Sequence, residues 1–406
     1  MSPIRVAIIF DQQIHAGGGY QQSLNASLLV KQLSEELVEP IYFTIFKENI
    51  TILSKFDIEA QFLNITLFEK FWARIRISFR NHRLLKFIKK IQRYGQFEKT
   101  LVQNKIDLVY FLAPSTLAQS LEEINYIVTV WDLCHRDDPE FPEVRANRQF
   151  EVRDLNYNSI LPRATAILVD SELGKENVIR RYGIDQQRVH VMPFQASVSS
   201  RFRDETTVTL QGNILAKFNL DTPYVIYPAQ FWAHKNHVYL LKGLKELESL
   251  YGIKIGAIFC GGNKGNKKHV EKYAQELRVD SRVIFAGFVT NEEMISLYQQ
   301  SLALVMPTYF GPTNLPPLEA FELGVPVLYS DMPGLRDQVG DAALLMNLKD
   351  PKTMANHLKN LIKQNGLRDQ LVKNGRNRLI LLNEIDRVKI LESIIEDFHW
   401  RRLCWE

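Results

Sequence analysis

The residues best suited to carry chemistry lie in one stretch, Pro307–Asp331, whose sequence is PTYFGPTNLPPLEAFELGVPVLYSD. Its polar loop follows an apolar strand and runs directly into a helix that carries Glu319. Loop amides and a helix N-terminus can bind an anion, and a carboxylate one turn further along can hold sugar hydroxyls. Core packing alone does not require the residues that crowd this loop, namely Gly311, Pro312, Thr313, Asn314, Pro316 and Pro317. The stretch therefore predicts a cradle for a phosphate group and a ribose.

A second feature, AQFWAHKN at residues 229–236, places Lys235 directly before an amphipathic helix. A lysine at a helix start is unfavourable against the helix dipole unless an anion lies between the two. We therefore interpret Lys235 as a phosphate ligand. For the neighbouring His234 and His237, helix capping or contact with solvent is an equally good interpretation.

Three glycines, Gly17–Gly19, follow the first predicted strand and precede a helix. Glycine allows the backbone to approach a ligand closely, so these amides could face an anion at the helix start. The spacing differs from the G-x-G-x-x-G pattern of dinucleotide-binding proteins. A tight turn in the first crossover is the alternative interpretation.

The segment Trp131–Glu143 gathers Asp132, His135, Asp137 and Asp138 behind another predicted strand. Binding sites of parallel sheets form at the carboxyl ends of their strands. Histidine and carboxylates there can hold sugar hydroxyls or move protons. We interpret His135 as functional, and Asp137 and Asp138 as a solvated acidic loop. Because the spacing matches no established ligand pattern, we expect no metal.

The stretch Lys70–Arg93 contains nine lysine and arginine residues and no acidic residue, interleaved with aromatic and aliphatic side chains. A basic helix with an apolar face can lie on an anionic membrane surface. An equally good interpretation is a helix that packs its apolar face on a sheet and exposes its charges. RNA binding is a third, weaker alternative.

The composition is that of an ordinary soluble globular protein, with 46% hydrophobic and 24% charged residues. A net charge of +4 over 406 residues argues against a dedicated nucleic-acid binder. The three cysteines, Cys134, Cys260 and Cys404, are widely separated, which fits a reducing cytoplasm. The N-terminus reads as a strand rather than a secretion signal, and no apolar run is long enough to span a membrane. We therefore expect a cytoplasmic protein, with peripheral contact at the inner membrane face through Lys70–Arg93 as an open alternative.

Short apolar runs alternate with amphipathic stretches, which predicts parallel sheets, and the alternation starts again after residue 200. Two such series predict an α/β protein with two doubly wound, Rossmann-like domains.

The polar segment Ser197–Asn213 marks the predicted boundary between them. We assign residues 1–198 to an N-terminal domain, 199–385 to a C-terminal domain, and 386–406 to a final helix. That helix either crosses back to the N-terminal domain or completes the C-terminal one. The predicted strands are Arg5–Phe10, Ile41–Ile45, Leu108–Leu112, Ile127–Val130, Ala166–Val169, Val189–Met192, Tyr224–Tyr227, Ile255–Cys260, Val283–Ala286, Ala303–Met306 and Val327–Tyr329.

Taken together, the motifs resemble a family 4 glycosyltransferase of the GT-B fold. They occur in the order GGG, WDL..H, AQFW.HKN, VIFAGFV and FGPTNLPPLEAFELGVPV, and the resemblance is strongest from Pro223 to Leu345. It implies two Rossmann-like domains facing a central cleft, an N-terminal domain that binds the acceptor, and a C-terminal domain that binds a nucleotide-sugar donor. It also implies transfer with retention of anomeric configuration and without a metal.

The resemblance assigns roles to individual residues. Lys235 matches the family's basic residue on the donor diphosphate, and Glu319 matches the glutamate that holds the ribose hydroxyls. His135, with Asp132 beside it, lies where the family often keeps a histidine near the transferred sugar. The other implied donor-binding residues are Gly18 and Gly19 near the phosphates, Phe288 and Val289 beside the nucleobase, Gln230, and the loop residues Gly311, Thr313, Asn314 and Leu315.

Three positions depart from the family pattern. The first glutamate of its E-x7-E motif falls on Gly311, its arginine five residues before the lysine falls on Gln230, and its His-Asp pair reads Trp131-Asp132. The loop is therefore expected to act through its amides and the side chains of Thr313 and Asn314. The FGPTN sequence marks a branch of the family.

The expected function is that of a retaining hexosyltransferase that acts on a glycan or lipid-linked acceptor in cell-surface polysaccharide synthesis. Mannose is the preferred sugar, with GDP-mannose as donor, and UDP-sugars remain open; no further cofactor is expected. One alternative is a nucleotide-sugar epimerase on the same fold. The other is a non-catalytic subunit that binds nucleotide sugar, which Gly311 and Trp131 would favour.

Overall fold

The computed structural model describes residues 2–14, 18–65, 95–196, 217–218 and 222–405. Gly17, the basic stretch Lys70–Arg93 and the predicted boundary Ser197–Asn213 lie outside these ranges, so those predictions stand as made. The chain forms two compact units. Unit 1 comprises Met1–His135, Arg148–Pro193 and Ile385–Glu406; unit 2 comprises Arg136–Asn147 and Phe194–Glu384.

Each unit is built on one parallel sheet with buried, apolar strands. In unit 1 the strand order is β3-β2-β1-β4-β5-β6-β7, and in unit 2 it is β10-β9-β8-β11-β12-β13. The strands are β1 (Ile4–Phe10), β2 (Val38–Thr44), β3 (Ala60–Phe62), β4 (Leu108–Phe111), β5 (Asn125–Val130), β6 (Ala166–Val169), β7 (Val189–Val191), β8 (Tyr224–Tyr227), β9 (Gly256–Cys260), β10 (Val283–Gly287), β11 (Ala303–Met306), β12 (Val327–Ser330) and β13 (Ala343–Met346).

All eleven predicted strands are present, and two further strands, β3 and β13, were not predicted. Both lie at a sheet edge and are partly exposed, a property that they share with the predicted edge strands β7 and β10.

The helices surround these sheets. In chain order they are α1 (Gly18–Val30), α2 (Lys47–Leu53), α3 (Gln96–Gln103), α4 (Cys134–Asp137), α5 (Pro142–Arg145), α6 (Gln149–Ile160), α7 (Glu172–Tyr182), α8 (His237–Tyr251), α9 (Lys267–Glu276), α10 (Asn291–Gln300), α11 (Leu315–Glu322), α12 (Pro333–Val339), α13 (Lys352–Lys363), α14 (Leu367–Asn383) and α15 (Arg387–Arg402). Among the described residues, none of these helices is both long and apolar enough to cross a lipid bilayer.

Local sequence explains where several helices begin and end. The Ser171 side chain accepts a hydrogen bond from the Gly174 amide at the start of α7, and Gly183, with φ +63°, ends that helix. At the start of α10, Thr290 and Glu293 form a reciprocal capping box.

The last helix, α15, belongs to unit 1. Its buried side chains Leu391 and Ile395 share a small apolar cavity with Val6 and Ile8 of β1 and Tyr110 of β4. An arginine at each end of α15 binds a residue of unit 1. Arg387 donates to the Pro193 carbonyl (2.8 Å), and Arg402 forms an ion pair with Asp107 (2.7 Å). The end of the chain therefore completes the core of the unit that contains its beginning.

This packing predicts that Ile395→Ala lowers the free energy of unfolding by about 2–5 kcal/mol, because it leaves a cavity under β1. Glu396→Ala, on the exposed side of the same helix, is the matched control and is expected to change it by less than about 0.5 kcal/mol. Urea unfolding of both variants measures the difference. Equal losses would contradict the packing described for α15.

Candidate functional site

The strand order of the second sheet brings two separate loops together. Strand β8 lies next to β11, and the crossovers leave these two strands toward opposite edges of the sheet. Ligands of open α/β sheets bind at such a reversal, outside the carboxyl ends of the strands. The loop after β8 carries Lys235, and the loop after β11 carries Gly311 to Asn314. A backbone hydrogen bond from Tyr309 to the His234 carbonyl (2.9 Å) joins the two loops.

Lys235 lies in a single 3-10 turn, Ala233–Lys235, directly before α8. Its carbonyl accepts a hydrogen bond from the Tyr227 hydroxyl (2.9 Å), which fixes the turn on the end of β8. Its ammonium Nζ donates to Asn314 Oδ1 (3.3 Å). The two residues that the sequence predicted to serve one phosphate site are therefore in contact.

The Asn314 side chain is held in one orientation by groups beneath it. Its Nδ2 donates to the Tyr329 hydroxyl (2.8 Å), and that hydroxyl donates to Gln338 Oε1 (3.0 Å). The Asn314 amide also donates to Gln338 Oε1 (3.0 Å). With Nδ2 engaged in this way, Oδ1 is the end that meets Lys235. Sequence reasoning missed both Tyr329 and Gln338.

The loop bends sharply at Gly311, whose φ is +97°. A Cβ atom placed there would lie 2.8 Å from the Thr313 carbonyl oxygen. Residues other than glycine are strained at this φ, and here the backbone also blocks the space. The position that the family pattern gives to glutamate is therefore built for glycine in this chain.

Helix α11 offers fewer backbone donors at its start than an ordinary helix. Asn314 is its N-cap in extended conformation, and Pro316 and Pro317 occupy the second and third helical positions. Proline has no backbone N–H, so the donor of the first turn belongs to Leu315. An anion at this helix start would therefore meet the Leu315 amide and the dipole of the helix.

Glu319 lies one turn into α11 and is half-buried. Its Oε2 accepts a hydrogen bond from the Tyr298 hydroxyl (3.2 Å). Burial, and then the neighbouring Glu319 carboxylate, raise the pKa of Tyr298 well above its usual value, so this hydroxyl stays protonated and donates. Tyr298 orients the carboxylate, and no local sequence signal identified it.

The residues predicted beside the nucleobase lie at the end of β10. The Phe288 ring is 68% exposed and covers Gly262, where a Cβ would lie 2.9 Å from the ring. Val289 is half-buried beside it. The Gln230 Oε1 accepts from the Trp232 ring nitrogen (3.1 Å), so Gln230 orients a neighbouring side chain of its own loop. An exposed ring over a glycine is a surface on which a planar base can stack.

In unit 1, Gly18 begins α1, and Gly19 follows it in the first turn. A Cβ on Gly19 would lie 2.8 Å from the Trp131 ring. Close packing of this ring explains why residue 19 is glycine. The structure thus adds a packing role to a residue predicted to lie near the donor phosphates.

Asp132 and His135 lie in one polar cluster of unit 1, in which His135 is buried and Asp132 is half-buried. Asp132 pairs with Arg153 and accepts from the Cys134 amide (3.0 Å). Although burial alone would raise the pKa of Asp132, Arg153 holds it below its usual value. His135 Nε2 contacts the Tyr182 hydroxyl (3.2 Å) and lies 3.5 Å from Asp154.

The His135 side chain has no exposed surface, and its ring packs against those of Phe150 and Tyr157. Burial, and then the Arg153 charge, lower its pKa to about 4, so the imidazole is neutral at pH 7. A side chain enclosed in this way does not fit direct contact with a substrate. The packing of His135 therefore favours a structural role for it, whereas the Asp132 side chain is 32% exposed, and the catalytic assignment of both residues stays a prediction.

A comparison with known protein families covers most of unit 2. Residues 215–378 match the family model described as Glycosyl transferases group 1. This match contains Lys235, Phe288, Gly311, Asn314 and Glu319. It does not extend over the residues of unit 1.

The curated relatives are distant. The chain is 24% identical over 199 residues to the O-antigen chain mannosyltransferase RfbU of Salmonella typhimurium, covering 49% of this chain and 51% of the relative. It is 22% identical over 264 residues to the D-inositol 3-phosphate glycosyltransferase of Corynebacterium kroppenstedtii, covering 61% and 56%. The chain thus spans about half the length of the curated relatives it matches.

Solved structures confirm the predicted fold class. Anabaena Alr3699/HepE in complex with UDP superposes with a TM-score of 0.66 at 14% identity, covering 98% of this chain and all of that one. The glycosyltransferase WaaG, which is involved in lipopolysaccharide biosynthesis, superposes with a TM-score of 0.65 at 15% identity, covering 97% and 99%. The protein has the GT-B fold, with two Rossmann-like parallel-sheet domains.

The geometry at Gly311 predicts that Gly311→Ala destabilises the site loop. The left-handed backbone alone costs a non-glycine residue about 1–2 kcal/mol, and the contact with the Thr313 carbonyl adds to this cost. Gly252→Ala is the control, because Gly252 is left-handed (φ +65°, ψ +12°) and a Cβ there would meet no described atom within 4 Å. Thermal unfolding should show the larger loss for Gly311→Ala. Equal losses would mean that the loop can open without strain.

Proposed function

We propose that the protein is a retaining glycosyltransferase that moves a hexose from a nucleotide sugar to a glycan or lipid-linked acceptor in cell-surface polysaccharide synthesis. The observation that carries the proposal is the contact between Lys235 Nζ and Asn314 Oδ1, where the second sheet reverses its strand order. Glu319 lies one helical turn further along. This arrangement combines a cation, a helix start and a carboxylate, which are the groups that a diphosphate and a ribose need.

In the proposed reaction the bond between the anomeric carbon and the phosphate oxygen breaks, and its electron pair stays on the phosphate. Lys235, the Leu315 amide and the dipole of α11 stabilise the negative charge that develops there. The acceptor hydroxyl oxygen forms the new bond on the face that the phosphate leaves. Its proton passes to the leaving phosphate oxygen, so the step requires no separate side-chain base. Retention of configuration follows from attack on that face.

Glu319 would accept hydrogen bonds from the ribose hydroxyls. Its Oε2 accepts from the Tyr298 hydroxyl, which holds the carboxylate in one orientation. The exposed Phe288 ring would stack on the base. We propose mannose as the transferred sugar, because two of the relatives are O-antigen mannosyltransferases, from Salmonella typhimurium and Escherichia coli. GDP-mannose is then the preferred donor.

The proposal predicts different losses for two substitutions. Lys235→Ala should lower kcat/KM at least about a hundredfold, because it removes charge stabilisation from the transition state. Glu319→Ala should raise the donor KM by about ten- to a hundredfold, because hydrogen bonds between a charged group and its partners each contribute about 1.5–3 kcal/mol. Lys373→Ala, on the exposed side of α14, is the charge-matched control. Wild-type kcat/KM in both site variants would overturn the proposal.

Donor identity is tested by nucleotide binding. Thermal unfolding is measured with GDP, UDP and ADP and with their sugars, because a ligand that binds only the folded protein raises the midpoint according to its affinity. We expect the largest rise with GDP and GDP-mannose. A rise with UDP and none with GDP would replace mannose by a sugar carried on UDP.

A further inference from the structure

A short segment from the first half of the chain belongs to unit 2. Residues Arg136–Asn147 lie in that unit, whereas the residues on both sides of them lie in unit 1. The segment contains α5 (Pro142–Arg145), which begins after Phe141 with a proline in its first turn. It lies outside the residues that match the family model.

Glu143 of this segment binds His234 through one oxygen. Its Oε1 accepts from the His234 amide (2.9 Å) and also contacts Nδ1 of the His234 ring. The two side chains are only 10% and 11% exposed. Burial raises the pKa of Glu143, but the hydrogen bonds from His234 outweigh it and hold the pKa below its usual value. The carboxylate is therefore ionised, and Nδ1 of His234 carries the donated proton.

Phe141 completes the contact through aromatic packing. The His234 ring stacks on Phe310, with ring centres 4.2 Å apart and planes 9° from parallel. The Phe141 ring meets Phe310 edge-on at 5.0 Å and also packs on Tyr309 at 5.5 Å. The segment therefore contacts both loops of the candidate site.

These two loop residues stand directly before the groups that would bind the diphosphate. His234 precedes Lys235, and Phe310 precedes Gly311. The Phe310 carbonyl accepts from Asn314 Nδ2 (3.3 Å), which links the aromatic packing to the side chain that meets Lys235. A displacement of His234 would be passed on to Lys235 through the peptide bond between them, and a displacement of Phe310 would be passed on to Asn314 through the hydrogen bond from its Nδ2.

We propose that Glu143 and Phe141 are positioning residues for the diphosphate of the donor, an inference that rests on the proposed function. Glu143 fixes the turn that carries Lys235, and Phe141 fixes the loop that carries Gly311 and Asn314. Without the Glu143 carboxylate, a buried amide and a buried ring N–H of His234 would lose their acceptor, which favours a different turn. The Lys235 ammonium would then no longer be held at the diphosphate position.

The test measures binding of GDP and UDP, and of guanosine and uridine, to the full-length protein by calorimetry. The variants are Glu143→Ala, Lys235→Ala and their combination. Glu140→Ala, an exposed carboxylate in the same segment, is the matched control. We expect Glu143→Ala to weaken nucleoside diphosphate binding about tenfold and to leave nucleoside binding within about twofold, because Lys235 acts on the phosphates alone.

The double variant separates positioning from general damage. If Glu143 acts through Lys235, adding Lys235→Ala to Glu143→Ala should weaken binding by clearly less than it does in the wild type. Additive losses, or equal losses for nucleoside and nucleoside diphosphate, would overturn the proposal. Unchanged diphosphate binding in Glu143→Ala would overturn it as well.

Further outcomes separate a failed variant from a failed proposal. If Glu143→Ala fails to fold, Glu143→Gln keeps the shape and one acceptor oxygen but removes the charge, and it should show the same selective loss to a smaller degree. Wild-type diphosphate binding in a folded Glu143→Gln protein would overturn the role of the charge. Failure of the wild type to bind any nucleoside diphosphate would overturn the proposed function and this inference together. A loss in Lys235→Ala without one in Glu143→Ala would overturn only the positioning role.

Discussion

The candidate site depends on the fixed orientation of one amide side chain. Asn314 has a donating and an accepting end, and Tyr329 engages the donating end, so the oxygen meets Lys235. A neutral amide oxygen can hold an ammonium group without neutralising its charge, whereas a carboxylate would compete with an incoming phosphate. The contact with Asn314 thus positions the lysine without placing a negative charge beside it.

Much of this site could be predicted from the sequence because its signals are local. A lysine against a helix dipole, a loop crowded with glycine and proline, and a carboxylate one turn into a helix are each visible within a few residues. The parallel sheets were equally visible, because central strands are buried on both faces and read as unbroken apolar runs. The edge strand β3 has only three residues, AQF, and leaves no such run, whereas β13, with the sequence ALLM, does leave one and was missed.

The residues that the sequence could not reveal act across long separations in the chain. Tyr298 orients Glu319 from another helix, Gln338 fixes Asn314 from 24 residues away, and Glu143 reaches His234 across 91 residues. No local pattern distinguishes such a tyrosine, glutamine or glutamate from a surface residue. At His135 the residue type suggested chemistry, and the structure adds that aromatic rings of α6 enclose the imidazole.

Gly311 stands where the family pattern has a glutamate, and the backbone conformation explains why this chain has glycine there. Gly311 has a positive φ, and the Thr313 carbonyl blocks the position of a Cβ atom. The backbone therefore adopts a conformation that favours glycine. A glutamate side chain would have brought a second negative charge beside the proposed diphosphate. Instead, the loop would offer an anion the neutral side-chain amide of Asn314 and the backbone N–H of Leu315. In the proposed function the loop would bind phosphate without a carboxylate of its own, and Glu319 would be the carboxylate that holds the ribose.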